Sequence, residues 1–303
     1  MYQISEFLKE DFECFFTPFY CDGIYRTFQK LGWLDFTIIG GQNRRRTEAF
    51  LADKKVKIDY AGQSGDYDLA LICTDLMVPK NLLKKPLILV QEGMTDPENI
   101  FFHIARVLRP VGMPLWIAST STTGLSDSYD KFCVASDGYR DLFIRKGVKP
   151  DKIAVTGIPN FDNCQEYLKN DFPHKGYVLV ATTDTRENLK SDNRPAFIKK
   201  CVEIAKGRQI IFRLHPNEDP VRGRRECAQY APGSLVYDVG NTNHMVANSE
   251  VVITQYSSVV YVGIALGKEV HSYFELDSLR RLCPIQNGGT SASHIAKECR
   301  NYL

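Results

Sequence analysis

Residues 251–268 read VVITQYSSVVYVGIALGK. The stretch opens on four β-branched residues, Val251 to Thr254, passes through the polar turn Gln255-Tyr256-Ser257-Ser258, and continues as an apolar segment stopping at Gly267. A short β-branched run bounded by turn residues predicts a buried strand, and the segment after it predicts a helix closing on glycine. Strand, turn and helix in this order are the unit of a parallel α/β sheet. Ser257 and Ser258 fall at the predicted helix start. Unpaired N–H groups and partial positive charge there suit a phosphate, and the two hydroxyls can donate as well. Ordinary helix capping accounts for the same serines.

The same alternation runs outward through the chain. Upstream, strands are predicted at 13–20, 35–41, 67–75, 86–93, 114–119, 131–136 and 152–157, with helices at 23–32, 45–55, 96–108 and 137–147. The pattern restarts with strands at 176–183, 208–216, 234–239, 250–258 and 268–274, and helices at 194–207, 223–231, 242–249 and 259–267; the final SASHIAKECRNYL is helical too. The polar segment Ile158–Lys175 has no strand pattern and reads as a linker. The expectation is two Rossmann-like α/β domains facing across a cleft. Residues 1–157 form the N-terminal, acceptor-side domain and 158–303 the C-terminal, ligand-binding one, with the last helix free to return to the first domain. Ligands of such sheets sit beyond the carboxyl ends of the strands. That rule selects the loops after residues 20, 41, 75, 92, 183, 216 and 256.

A second motif, RLHPNEDPVRGRR (213–225), follows one of those strands. His215 stands where strand turns to loop and can donate to a phosphate oxygen, with Arg213 beside it. A histidine held by backbone groups is the plainer account. Thr183 ends the first strand of the second half and joins this candidate set. Asp75 and Glu92 end apolar strands of the first half, where a carboxylate can act as general base. Gly23, in the loop after the first strand, permits close backbone approach. Arg44-Arg45-Arg46 reads as a solvated face or as a grip on an anionic acceptor, glycan, lipid-linked or nucleic acid.

Composition narrows the classes. The net charge of +2 in 303 residues gives no global case for nucleic acid or membrane. Nine cysteines, widely spaced and without C-x-x-C, suit buried thiols in a reducing compartment and disfavour zinc. G-x-G-x-x-G is absent, which removes a nicotinamide role. No apolar run is long enough to span a bilayer, and MYQISEFLKEDFE is too acidic for a signal peptide. A cytoplasmic protein is expected.

Histidine–proline after one strand and serine–serine after a later one resembles the GT-B superfamily. TQYSS (254–258) resembles the T-D-Y-S-S of CDP-glycerol glycerophosphotransferases, with Gln255 in place of aspartate. LHPNEDPVR (214–222) is similar to V-H-P-N-P-x-V-R of UDP-GlcNAc 2-epimerases. Residues 131–162 resemble the stretch joining the two epimerase domains, and TRENL (185–189) resembles H-R-R-E-N-[LF]. YDLALICTD (67–75) and ILVQEGM (88–94) resemble the epimerase strands that end in catalytic carboxylates, which would put Asp75 and Glu92 in those roles and Glu98 in the acidic motif that follows. The departures are specific. Asp184 and Thr185 replace the epimerase His-Arg, Val260-Tyr261-Val262 replaces the helix bearing the ribose-binding carboxylate, and VQEG replaces the W-H-G of the phosphotransferases.

The resemblance implies a metal-independent glycosyltransferase that takes a nucleotide sugar as substrate and has no resident cofactor. Arg213, His215, Ser257, Ser258, Thr183 and Gly23 would hold the nucleotide diphosphate, and Glu92 or Asp75 would serve as base. The alternatives are a 2-epimerase-type isomerase, a CDP-polyol phosphotransferase and a non-catalytic nucleotide-sugar binder.

Overall fold

The structure is a computed structural model, and it describes residues 1–18, 20, 27–28, 31–32, 41–109, 113–183 and 192–303. By internal packing the chain divides into Met1–Asn160 with Gly289–Leu303, and Phe161–Gly288.

The first unit holds a parallel sheet in the order β3 (Ala70–Ile72), β4 (Leu87–Val90), β5 (Lys131–Val134), β6 (Ile153–Val155), besides a two-stranded pair of β1 (Phe15–Phe16) with β2 (Lys57–Ile58). Its helices are α1 (Tyr2–Leu8), α2 (Gly41–Asp53), α3 (Ile100–Leu108), α4 (Asp137–Lys146) and α10 (Ser291–Arg300). β4 is buried throughout, as a strand covered on both faces must be. α4 starts because the Ser136 hydroxyl accepts from Tyr139 N, and stops at Gly147 in the left-handed region, φ 115°. α10 packs on α1, burying Ile295, Ala296 and Cys299 with Ile4, Leu8 and the strand residues Ile88, Val90 and Cys133.

The second unit is a five-stranded parallel sheet ordered β11 (Glu269–His271), β10 (Ser249–Thr254), β7 (Tyr177–Ala181), β8 (Ile210–Arg213), β9 (Leu235–Tyr237). Its helices are α5 (Arg194–Ala205), α6 (Pro220–Tyr230), α7 (Thr242–Asn248), α8 (Val259–Ala265) and α9 (Leu276–Leu282). Val178, Val180, Phe212, Val251 and Ile253 from the sheet pack with Phe197, Ile198 and Cys201 of α5 and Cys227 of α6. The chain proceeds from β7 to β8 and β9 on one side, then crosses to place β10 on the other side of β7. The strand order therefore reverses between β7 and β10. In an open α/β sheet that is where a crevice opens at the carboxyl ends.

Several expected elements differ. Residues 114–119 are not a strand; Leu115–Thr122 is 3-10. Its small hydroxyls take up backbone groups locally, Ser121 donating to Ala118 O at 2.5 Å and Thr122 to Leu115 O at 2.8 Å, which competes with sheet pairing. The strand at 13–20 shrinks to Phe15–Phe16, since Pro18, two residues on, has no N–H to continue the pairing. Helices α1 and α9 form where the sequence pattern above predicts none. The helix at 23–32 and the strand at 35–41 fall mostly outside the described residues.

Candidate functional site

Three neighbouring strands of the second unit, β8, β7 and β10, end in His215, Thr183 and Gln255 with Ser257 and Ser258. Parallel neighbours lie about 4.8 Å apart, so the three ends span about 10 Å. Side chains tie them together. Thr183 Oγ1 donates to Gln255 Oε1 at 3.1 Å, across the β7–β10 switch point. Gln255 Nε2 donates to Asp192 Oδ1 at 2.9 Å, and the other Asp192 oxygen holds Arg194 Nε at 2.9 Å. Arg194 reaches on to Thr183 O at 2.9 Å and to the Glu218 carboxylate at 2.8 Å. Asp192, Arg194, Glu218, Gln255, Thr182 and Thr183 are all buried. A buried charge holds its place only when paired and hydrogen-bonded, and here one guanidinium serves two carboxylates.

Glu218 passes this order to the histidine. Its second oxygen accepts the His215 N–H at 2.9 Å and the Thr182 hydroxyl, while Thr182 Oγ1 also accepts the His215 N–H at 3.0 Å. His215 Nδ1 accepts the Asn217 N–H at 3.2 Å. A neutral imidazole with Nδ1 accepting carries its proton on Nε2, which makes that nitrogen a donor.

Ser257 and Ser258 begin α8. Val260 N bonds to Ser257 O at 3.2 Å and Val259 N approaches Ser257 Oγ at 3.4 Å; the Ser258 side chain makes no capping bond. Gly263 lets α8 lie close on the sheet, for a Cβ there would stand 3.1 Å from Val270 Cγ2 and 3.3 Å from Val252 Cγ2. Thr254, directly before the turn, has a buried hydroxyl with no hydrogen-bond partner among the described residues.

Arg213 is held among backbone groups of its own unit. It is buried, with Nε on Thr242 Oγ1 at 3.2 Å and its terminal nitrogens on Leu214 O at 3.0 Å and Gly240 O at 3.4 Å. Burial lowers its pKa, partly offset by Asp238. It fixes the loop between β9 and α7.

In the first unit, Asp75 is buried and its carboxylate accepts Gly124 N at 3.0 and 3.1 Å and Ser126 N at 3.1 Å. Glu92 is exposed at the end of β4, and its carbonyl accepts Asn160 Nδ2 at 3.1 Å. The Glu98 carboxylate stands 3.8 Å from Arg145. Arg44 pairs with Glu48 at 2.8 Å and lies over the Tyr60 ring, while Arg45 and Arg46 are exposed. Gly23 and the 185–189 motif lie outside the described residues.

Sequence reasoning passed over Gln91, Arg194, Glu218 and Gln255 as working residues. Gln91 is buried after β4, accepting Ala135 N at 2.8 Å and donating to Gly93 O at 2.8 Å, so it ties β4 to β5. The available signal was a polar side chain closing an apolar run, present in both VVITQ and LILVQ. Among the described residues no cluster of His, Cys, Asp and Glu is arranged to hold a metal ion, and no helix is long and apolar enough to cross a membrane.

No protein-family model matches this chain, and no curated protein sequence does. Solved structures do. The UDP-GlcNAc 2-epimerase from Neisseria meningitidis bound to UDP-GlcNAc is similar with a TM-score of 0.54 at 12% identity, over 86% of this chain and 90% of that one. The S. aureus MnaA–UDP complex gives 0.54 at 12% identity, over 86% and 87%. The wall teichoic acid polymerase TagF gives 0.44 at 15% identity, over 74% and 70%. Parallel sheets, strand order and the two similarities at a TM-score of 0.54 together give the chain the two-domain Rossmann-like fold of the GT-B class.

Proposed function

We propose that this chain is a nucleotide-sugar-dependent glycosyltransferase whose second unit grips the donor diphosphate at the β7–β10 switch point. The observation that carries the reading is the hydrogen bond from Thr183 to Gln255 across that point, with His215 held after the adjacent strand by its Nδ1 accepting Asn217 N–H at 3.2 Å. Backbone N–H groups at the α8 start, the Ser257 and Ser258 hydroxyls and His215 Nε2–H would stabilise the charge that grows on the leaving diphosphate. Arg213 stays out of this grip because its guanidinium serves backbone carbonyls. Glu92 is the candidate base for the acceptor hydroxyl, since its carboxylate is exposed. Asp75 is assigned to loop positioning, because backbone N–H groups already occupy its oxygens.

A second reading, a 2-epimerase-type isomerase, draws support from the similar structure holding UDP-GlcNAc. Thermal-shift measurement with UDP-, CDP-, GDP-, TDP- and CMP-linked sugars tests the binding claim. One class of donor should raise the wild-type midpoint, and His215→Ala and Ser258→Ala should lose that rise while melting normally without ligand. Variants that bind as tightly as wild type would remove the proposed grip. Conversion of UDP-GlcNAc without any acceptor would favour the isomerase.

A further inference from the structure

Helix α3, IFFHIARVL (100–108), turns its apolar side to solvent. At about 100° per residue, Ile100, Phe101, Ile104, Val107 and Leu108 form one stripe, while Phe102 and Ala105 face inward and are buried. Ile100 is 69%, Phe101 52% and Val107 72% exposed. The 3-10 segment packed on α3 adds Trp116 and Ile117, both also exposed. An exposed apolar patch of this kind marks an interaction site.

Charge identifies what the patch fits. From Asn99 through Ser126 the chain has no aspartate or glutamate, but has His103, Arg106 and Arg109, all exposed. The nearest carboxylates preceding the stretch are engaged, Glu98 lying 3.8 Å from Arg145 and Asp96 accepting the Thr120 hydroxyl at 2.8 Å. Two copies meeting through this face would bring like-charged rims together. Asp127, which follows the stretch, is likewise paired, with Lys149 at 2.6 Å and Lys152 at 2.8 Å. An apolar stripe with a tryptophan beside it and exposed cations on the same helix matches an anionic bilayer surface instead.

We propose that the outer face of α3, with Trp116 and Ile117, docks this protein onto anionic membranes. The helix would lie in the interface rather than span it.

Co-sedimentation of the full chain with phosphatidylcholine vesicles, with and without phosphatidylglycerol, tests this. Wild type should bind the anionic vesicles, more weakly at high salt, and leave the neutral ones. Ile104→Asp with Val107→Asp should weaken binding by about tenfold or more, with an unchanged melting midpoint because both side chains are exposed. Arg106→Glu, which leaves the apolar stripe intact, should also weaken it. Failure of wild type to bind, or full binding by both variants, overturns the proposal. So does a wild-type dimer in sedimentation that Ile104→Asp with Val107→Asp converts to monomer without any vesicle binding, since a second copy would then cover the face.

Discussion

The Arg194 guanidinium lies 2.8 Å from the Glu218 carboxylate, with their side chains only 3% and 1% exposed. The same guanidinium meets Asp192 at 2.9 Å. Arg194→Met would strand two buried carboxylates, and should cost about 3–5 kcal/mol in urea unfolding. Arg194→Met combined with Glu218→Met should cost less than the two singles summed, because the double change leaves fewer charges unpaired. A single-variant loss below about 1 kcal/mol would show that the pair does not organise the strand ends.

Asp75 and Glu92 should separate by stability. Asp75→Ala removes the acceptor for Gly124 N and Ser126 N and should cost about 2–3 kcal/mol. Glu92→Ala, at an exposed position, should stay within about 0.5 kcal/mol of wild type. Guanidinium unfolding of both variants checks this, and equal stabilities would contradict the loop-holding role.

The Asp75 loop also depends on a glycine. Gly124 has φ 86°, and a Cβ there would stand 2.9 Å from Phe132 Cε1 and 3.0 Å from Val148 Cγ2, both in the core. Gly124→Ala should therefore destabilise by about 1–3 kcal/mol. A neutral result in thermal unfolding would mean that the loop is not held as described.

Lys146 makes stability depend on alkaline pH. Its Nζ donates to Ser121 O at 2.9 Å and lies over the Phe102 ring, and burial pulls its pKa down to about 8. The unfolded value is about 10.4. Below the folded value both states hold the proton, and the cost of the buried charge is present in full. Between the two values the unfolded chain binds the proton and the folded chain does not, so stability rises with pH. The unfolding free energy of wild type minus that of Lys146→Met should rise by about 3 kcal/mol across that window. A flat difference would contradict the burial.

Thr254→Val keeps the shape of a side chain whose buried hydroxyl has no partner among the described residues. Removing that hydroxyl should stabilise by about 1 kcal/mol, measured by denaturant midpoint. A loss of stability would reveal that the hydroxyl is used.

The sheets were legible because their strands are buried on both sides. LILV at 87–90 and VVIT at 251–254 leave little choice but a strand, and the periodic segments between them become helices. PLWIAS has the same apolar composition and misleads, because Ser119, Ser121 and Thr122 draw the backbone into local bonds no apolar pattern reports. Around the candidate site, the positions that follow strands are readable in the sequence and the side-chain partners are not. Arg213 looks like a phosphate ligand beside His215, yet its buried side chain faces backbone carbonyls. Arg194 looks like a helix-opening residue, yet it neutralises two carboxylates. Only folding brings these partners together.

The order of β10 beside β7 has a consequence for biogenesis. Thr183 and Gln255 are separated by 72 positions, and the bond between them forms only when β10 has docked. While the ribosome is still adding residues after β9, one edge of β7 stands open, with its ladder groups unsatisfied. The Thr183–Gln255 bond is thus a late product of the second unit, and a truncated or stalled chain would carry an unpaired central strand.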